Sequence, residues 1–469
     1  MPLPAELDRV FAHIDSHRAG YVDRLVDYLR HPSISAHGLG MEEVARILVE
    51  MLSELGLSAR LVPTAGHPMV LARWDGAPGL PTVLLYGHYD VQPPDPLEGW
   101  TTPPFVPSIR DGRVYARGAV DNKGQHLAQI LAIETHLRVH GRLPCNVILL
   151  LEGEEEVGSP HIAEFVRAHR EELRADLVVT ADGQMHASGQ PSIKFGSRGV
   201  VSFDLRARHA GRDVHSGNFG GVAPNPLWTL VHLLATMKNE AGEITIAGFH
   251  DDVAPPTPAE RDAADRLPLD LPGLQRMLGL ARLDAPADRP FYDRLCFHPT
   301  LTINGLHGGY GGPGTKTVLP HEAVAKCDIR LVAAQRPADI LAKVAAHVAR
   351  HAPEVEVIVQ EDGMFPSKTP LDSPMAAPVR RAIMAAHGVE PLLYPAGFGS
   401  LPGYAFTDIL GIPAFLVPYG NADAANHAPD ENLTLDCFHN GIRTGAALLH
   451  EVGRQTGLTP AALARGDAA

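Results

Sequence analysis

Residues 147–159 read VILLLEGEEEVGS: five apolar residues run straight into four carboxylates interrupted by a single glycine. A run of acids is ordinarily a solvated face. A buried strand that ends abruptly in acids is different, because like charges that close repel unless a cation or a proton neutralises them. The apolar half has the texture of a strand covered on both faces, and similar short runs surround it: TVLLYG (82–87), NVILLL (146–151), DLVVTA (176–181) and, far downstream, IPAFLVPYG. Between them lie helical patterns. In MEEVARILVEMLSELG, residues Val44, Ile47, Leu48, Met51, Leu52 and Leu55 recur at three- and four-residue steps, and Gly56 follows as a helix-ending glycine. After Asp121, the residues Leu127, Ile130, Leu131 and Leu137 line one face of a second helix. Alternation of such runs with helices predicts an α/β unit, a mostly parallel sheet sandwiched by helices.

From about Arg198 the texture changes. GVVSFDLRARH and AVAKCDIRLVAA alternate apolar and polar residues, the pattern of strands with one solvated face, and helical segments lie near 226–238 and 338–350. A Pro-rich, charged stretch from about 250 to 295 interrupts this α+β region and carries helical patches of its own. After about residue 375 the α/β character returns.

The chain has 469 residues, which exceeds what a single hydrophobic core supports. Its formal charge of −14 argues against a nucleic-acid partner, which would demand a basic footprint. The four cysteines, Cys145, Cys296, Cys327 and Cys437, are scattered and form no C-x-x-C pair, as expected of reduced thiols in the cytoplasm. The N-terminal residues show no signal-peptide pattern and no apolar run reaches membrane-spanning length, so neither secretion nor membrane insertion is expected.

Each buried run of the first unit ends in residues of metal-ligand type. LLYGHYD places His88 and Asp90 on the same side of an extended chain. VYARGAVDNKGQ puts Asp121 just before a helix; VILLLEGEEEVGS ends in Glu154, Glu155 and Glu156, with a helix start expected at Ser159-Pro160; LVVTADGQ ends in Asp182; FLVPYGNADAANHAPDE delivers His427. Ligands of open α/β sheets collect at the carboxyl ends of strands. Two histidines and several carboxylates there suit a pair of divalent metals, one carboxylate bridging them and another left as a general base. Taken singly, each has a plainer use: His88 as a hydrogen-bonded core residue, Asp121 and Asp182 as helix caps, the glutamates as surface. Five strand ends of this kind together make coincidence a poor explanation.

These stretches resemble the co-catalytic metallopeptidases that include carnosinase-type cytosolic dipeptidases, glutamate carboxypeptidase, aminoacylase and succinyl-diaminopimelate desuccinylase, with the bacterial dipeptidase branch nearest. The matching segments are GHYDVQP, RGAVDNKGQ, EGEEEVGS, TADG, GRDVHSGNFGG, GTKTVLP and NHAPDE, in the family's order from residue 86 to 431. The resemblance implies a zinc-exopeptidase-like catalytic domain in two parts, 1–196 and 375–469, with an α+β lid and dimerisation domain inserted at 197–374. It implies two divalent ions per subunit, zinc first with manganese or cobalt as alternatives. His88, Asp121 and Asp182 would hold one ion, and Asp121, Glu156 and His427 the other, with a hydroxide bridging them. Asp90 would orient His88, and Glu155 matches the general base, whereas Glu154 falls where the family varies.

In the inserted domain, His215 matches an oxyanion-stabilising histidine, often supplied by a partner subunit. Arg330 matches an arginine that clamps the substrate's carboxylate. Thr317 and the stretch GFGSLPG (397–403), with Gly399 and Ser400, would line the same pocket. One departure stands out: dipeptidases of this group commonly carry a charged residue just before a Gly-Gly-Ser stretch, where this chain has Gly397 and Phe398. The expected activity is hydrolysis of dipeptides or short peptides with a free C-terminal carboxylate, by a cytoplasmic homodimer. The alternative is deacylation of N-acyl amino acids at the same site. A rival of another class, a catalytically silent scaffold on this fold, would have little reason to keep both the base and every ligand type.

Overall fold

The computed structural model describes residues 3–284, 289–360 and 363–455. The two expected catalytic-domain segments include residues 1–2 and 456–469, which lie outside the described residues. Two compact units are formed: one from Met1–Gly196, Lys368–Pro395 and Pro402–Ala469, the other from Ser197–Ser367 and Ala396–Leu401.

The first unit is built on a sheet of eight strands among the described residues. Their spatial order is Ser58–Val62, Met69–Trp74, Asn146–Glu152, Thr82–His88, Leu177–Thr180, Ala414–Leu416, Ser192–Lys194, Leu392–Tyr394. The four central strands, from Asn146–Glu152 to Ala414–Leu416, run parallel. Those at the first edge are antiparallel, and Ser192–Lys194 meets Ala414–Leu416 antiparallel while pairing in parallel with Leu392–Tyr394. All seven residues of Asn146–Glu152 are buried. The reason is visible in the alternation. Val147, Leu149 and Leu151 join one apolar cluster, with Val83 and Leu85 of the neighbouring strand. Ile148 and Leu150 join another, with Leu84 and Tyr86. A strand with a core on each face has no polar phase, so it reads as a continuous apolar run.

The larger cluster packs the helices Ala5–Ser16, Arg18–Leu29, Met41–Glu54, Lys123–His140, Ala376–His387 and Leu435–Gly453 against the sheet. The other face is covered by Ile162–Ala168 and the π-helical turn Ala405–Leu410. Met41–Glu54 ends as its periodicity predicts. Gly56 takes φ +83°, a backbone region closed to side-chain-bearing residues at low energy, and the Leu57 N–H returns to the Leu52 carbonyl at 3.1 Å.

Two local expectations change. The helix Lys123–His140 is not one-faced: every residue from Lys123 to His136 is buried, because Leu435–Gly453, Ala5–Ser16 and Arg18–Leu29 pack around it beside the sheet strand Thr82–His88. The helix expected to open at Ser159-Pro160 starts later, at Ile162, after a 3₁₀ turn at Glu155–Val157 and a left-handed Ser159 at φ +54°.

The second unit contains a four-stranded antiparallel sheet in the order Thr300–Gly308, Glu322–Leu331, Gly199–Arg208, Val355–Val359. Along Gly199–Arg208 buried residues alternate with more exposed ones, and helices Pro226–Met237 and Pro337–His351 pack on its apolar face. A short ladder joins Val214–His215 to Val318–Leu319. The Pro-rich excursion is ordered where described: it forms helices Pro258–Asp265, opened by a Thr257/Glu260 capping box, Leu271–Leu278 and Phe291–Phe297.

Candidate active site

Three parallel strands of the first unit end side by side. His88 is the last residue of Thr82–His88, the two glutamates follow Asn146–Glu152, and Asp182 follows Leu177–Thr180. Asp121 lies two residues before helix Lys123–His140, and Asn122 between them ties this corner to the sheet, its side-chain N–H donating to the Ala181 carbonyl at 2.6 Å. His427 arrives on a loop in which Ala425, His427 and Asp430 all have left-handed φ angles of 54–57°. That backbone is unfavourable for non-glycine residues and is held only where the surroundings over-determine it.

The imidazole of His88 is fully buried. Its Nε2 is 3.0 Å from Asp121 Oδ1, 3.5 Å from Asp182 Oδ2 and 3.9 Å from Glu155 Oε2. None of these oxygens lies where a proton on Nε2 would point, so the atom has no hydrogen-bond partner. On the other side His427 Nε2 stands 2.9 Å from Asp121 Oδ2 and 3.3 Å from Glu156 Oε2. Asp121 thus offers one oxygen to each histidine. Two donor groups result, His88–Asp121–Asp182 and Asp121–Glu156–His427, the ligating atoms of each lying within 4.8 Å of one another.

The electrostatics are those of a site short of positive charge. Burial pulls the His88 proton affinity down, but the carboxylates of Asp121, Asp182 and Asp90 outweigh it and hold it well above the ordinary histidine value. The Asp121 and Glu156 carboxylates raise His427 to about 10. Burial opposes ionisation of Asp121, yet the two histidines depress it far below the usual carboxylate range. Burial and the Asp121 charge lift Glu156 to about 7, and burial drives Glu155 well above its ordinary value. Protons here do what cations would do better: a divalent ion in each donor group would satisfy the orphaned His88 Nε2 and the equally orphaned, buried Glu156 Oε1. Mixed nitrogen and oxygen donors fit zinc, manganese or cobalt.

Asp90 does more here than orient a histidine. His88 Nδ1 bonds to the Asp90 backbone carbonyl at 3.1 Å. The Asp90 carboxylate, 3.3 Å from the same Nδ1, also accepts the backbone N–H groups of Glu155 at 3.2 Å and Glu156 at 3.0 Å. It therefore fixes the turn that carries both glutamates. Glu154 turns away and pairs with His161 at 2.6 Å.

Sequence reasoning missed three supports: Gln92, Glu431 and its partner Arg117. Gln92 donates to the Glu156 carboxylate at 3.0 Å and to its backbone carbonyl at 3.1 Å. Fully buried Glu431 accepts from the Arg117 guanidinium at 2.6 Å and from the N–H groups of Gly118, Val120 and Asp121 at 2.9–3.1 Å. One carboxylate thus joins the segment presenting Asp121 to the one presenting His427. The NHAPDE stretch contains Glu431, but nothing local distinguishes it from a solvated acid.

The remaining expected residues fall into two groups in the second unit. His215 caps the short helix Ser216–Phe219, its Nδ1 accepting the Gly217 N–H at 2.9 Å, while Nε2 lies 3.4 Å from Thr317 Oγ1. An accepting Nδ1 leaves the ring proton on Nε2. Arg330, on strand Glu322–Leu331, donates through Nη1 to Ser400 Oγ at 2.7 Å, and its Nε is 3.6 Å from Asp328. Gly399 accepts the Arg198 backbone N–H at 3.1 Å, and a Cβ on it would meet open space. Phe398, at the place of the sequence departure, stacks on Tyr292 with ring centroids 6.0 Å apart.

Known proteins resemble the chain over nearly its whole length. The Beta-Ala-His dipeptidase of Rattus norvegicus is 29% identical over 476 residues, covering 97% of both chains. The Cys-Gly metallodipeptidase dug1 of Schizosaccharomyces pombe is 30% identical over 468 residues, covering 95% of this chain and 98% of its own. The crystal structure of the M20 family metallo-carboxypeptidase Sso-CP2 from Sulfolobus solfataricus superposes with a TM-score of 0.87 at 33% identity, over 92% of this chain and 99% of that one. Residues 84–451 match the profile of Peptidase family M20/M25/M40, and the chain belongs to that family of metal-dependent peptidases.

Proposed function

We propose that the protein is a metallo-dipeptidase cleaving dipeptides or short peptides that end in a free carboxylate. The observation that carries this reading is the pair of donor groups sharing Asp121, with half-buried Glu155 beside them and belonging to neither. His88, Asp121 and Asp182 would hold one divalent ion, and Asp121, Glu156 and His427 the other. Zinc is the first choice, with manganese or cobalt suited to the same donors. When bound, the ions would supply polarisation of the scissile carbonyl and acidification of water.

The chain's own residues do the rest. Glu155, kept off the metals and high in proton affinity, takes a proton from the attacking water and returns it to the leaving amine. The turn fixed by Asp90 sets its position. His215 donates its Nε2–H to the developing oxyanion; Thr317 lies beside that nitrogen. Arg330, with Ser400 and Gly399 next to it, takes the substrate's carboxylate in a planar fork, which restricts cleavage to chain ends. The dipeptidase relatives, named for Beta-Ala-His and Cys-Gly, support this substrate class.

A homodimer through the second unit is supported by its sheet edge. Strand Thr300–Gly308 has no outer partner among the described residues, and Ile303, Leu306, Trp228 and Val231 are 40–61% exposed there or on helix Pro226–Met237. A cytoplasmic setting is supported by four free cysteines. Among the described residues no helix is long and apolar enough to cross a membrane.

Deacylation of N-acyl amino acids is the second reading, favoured by one feature: aromatic Phe398 occupies the loop where dipeptidases of this kind carry a charge. The test is a panel of dipeptides beside matched N-acetyl amino acids, with enzyme stripped by chelator and reloaded with zinc or manganese. Metal-dependent cleavage of the free dipeptides is expected; preference for the acetylated compounds would move the enzyme to the deacylases.

A further inference from the structure

Two arginines are buried among the described residues, Arg117 at 1% and Arg198 at 8% exposure. They are in opposite electrostatic states. Arg117 has a carboxylate, Glu431, at 2.6 Å. Arg198 has none within ion-pair distance among the described residues. Its Nε donates to the Phe398 carbonyl at 2.7 Å, and its Nη1 is buried with no hydrogen-bond partner. A guanidinium keeps its proton: burial and the nearby Arg330 charge lower Arg198 only to about 10. A buried cation without a counter-charge is among the most unfavourable features a fold can retain, and a retained one calls for an anion that arrives later.

The place where that anion would sit is defined within the second unit. Arg198 immediately precedes strand Gly199–Arg208, whose Val200 pairs opposite Arg330. Both arginines hold the same loop: Arg198 through the Gly399 and Phe398 carbonyls, Arg330 through Ser400 Oγ. The acid beside them is Asp328, 3.6 Å from Arg330 Nε. Two cations against one carboxylate leave one positive charge to be matched.

We propose that Arg198 is a second cation of the carboxylate subsite, sharing the substrate's single free carboxylate with Arg330. The owner of that carboxylate rests on the dipeptidase reading above; the need for an anion rests on the burial of Arg198 alone. Arg198 is then a binding residue whose removal harms carboxylate recognition.

The test uses metal-loaded full-length enzyme and the variants Arg198→Met and Arg198→Lys. On a dipeptide and its C-terminal amide, the wild-type enzyme should favour the free acid. Arg198→Met should lower that acid-over-amide ratio at least tenfold, mainly through KM, and Arg198→Lys, which keeps the charge without the fork, should fall between. An unchanged ratio in both variants overturns the proposal and makes Arg198 an anchor of the loop. Independently of turnover, acetate is compared with chloride at equal ionic strength in thermal unfolding. Acetate should raise the wild-type Tm, with the rise lost in Arg198→Met; an equal rise in both overturns the proposal. Should the wild-type enzyme cleave no dipeptide, the dipeptidase reading falls, and the acetate comparison alone decides the role of Arg198. Arg198→Lys serves both arms if Arg198→Met does not fold.

Discussion

Replacing Glu431 by alanine should be among the most damaging single changes in the first unit. The carboxylate is fully buried and accepts four N–H groups: the Arg117 guanidinium and the backbone of Gly118, Val120 and Asp121. Removing it leaves a cation at 1% exposure unpaired, and breaking one side of a buried pair costs about 3–5 kcal/mol. Each backbone N–H left dry adds about 1–3 kcal/mol, unless water enters the space vacated. A loss of at least ~3 kcal/mol is therefore expected from the pair alone. The assay is urea unfolding followed by tryptophan fluorescence. In a Trp228→Phe background, two of the three tryptophans remain, Trp74 and Trp100, both in the first unit. Adding Arg117→Met to Glu431→Ala should recover part of the loss, since no cation is then stranded, but not all of it, because the backbone donors stay unpartnered. Glu431→Ala within about 1 kcal/mol of its parent would refute the assignment of this carboxylate as a buried counter-charge.

Three further expectations can be checked directly. Glu155→Gln should keep both metals, read by elemental analysis, and lose roughly 10²–10⁴-fold in kcat, the range of a missing general base; near-normal turnover would remove Glu155 from the chemistry. Burial holds His136 at about 4 against an ordinary 6.5, although its bond to the Ala446 carbonyl opposes this. The folded state therefore binds fewer protons than the unfolded one, and this contribution to stability is intact above 6.5 and lost as pH falls towards 4. About 2 kcal/mol should disappear between pH 7 and pH 5; His136→Gln should flatten the profile by that amount, and an unchanged slope would show that the imidazole does not titrate this way. Ile303→Asp with Leu306→Lys, on the exposed edge strand, should give monomers in sedimentation; if His215 acts across subunits, those monomers lose activity with metal content unchanged. A dimer that survives both charges places the interface elsewhere.

How far this molecule can be read from its residues depends on the range of the interaction concerned. The central strands were legible because burial on both faces leaves an uninterrupted apolar run, and the end of Met41–Glu54 because one glycine is required there. The helix Lys123–His140 misled because its apolar stripe is clear while the polar residues on the other sides, among them Gln125, His126, Gln129 and Glu134, are buried too. Only packing from several neighbouring helices reveals that. Chemistry-bearing residues stood out where they closed an apolar run, as at His88, Glu155 and Glu156. Arg117 and Glu431 did not, since they are 314 positions apart and meet only in the fold. Arg198 is likewise silent as a letter in FGSRGVV; it becomes unusual only when its burial and its missing counter-charge are both known. The dual role of Asp90 was hidden for a related reason: its partners are backbone N–H groups, which every sequence supplies.

The central claim is that Asp121 serves two metal sites at once, and metal stoichiometry tests it most directly. Wild-type enzyme and Asp121→Ala, each reloaded with zinc and freed of excess, should contain two ions and none per chain, with both proteins folded by circular dichroism. One ion remaining in Asp121→Ala, or a single ion in the wild-type enzyme, would contradict it.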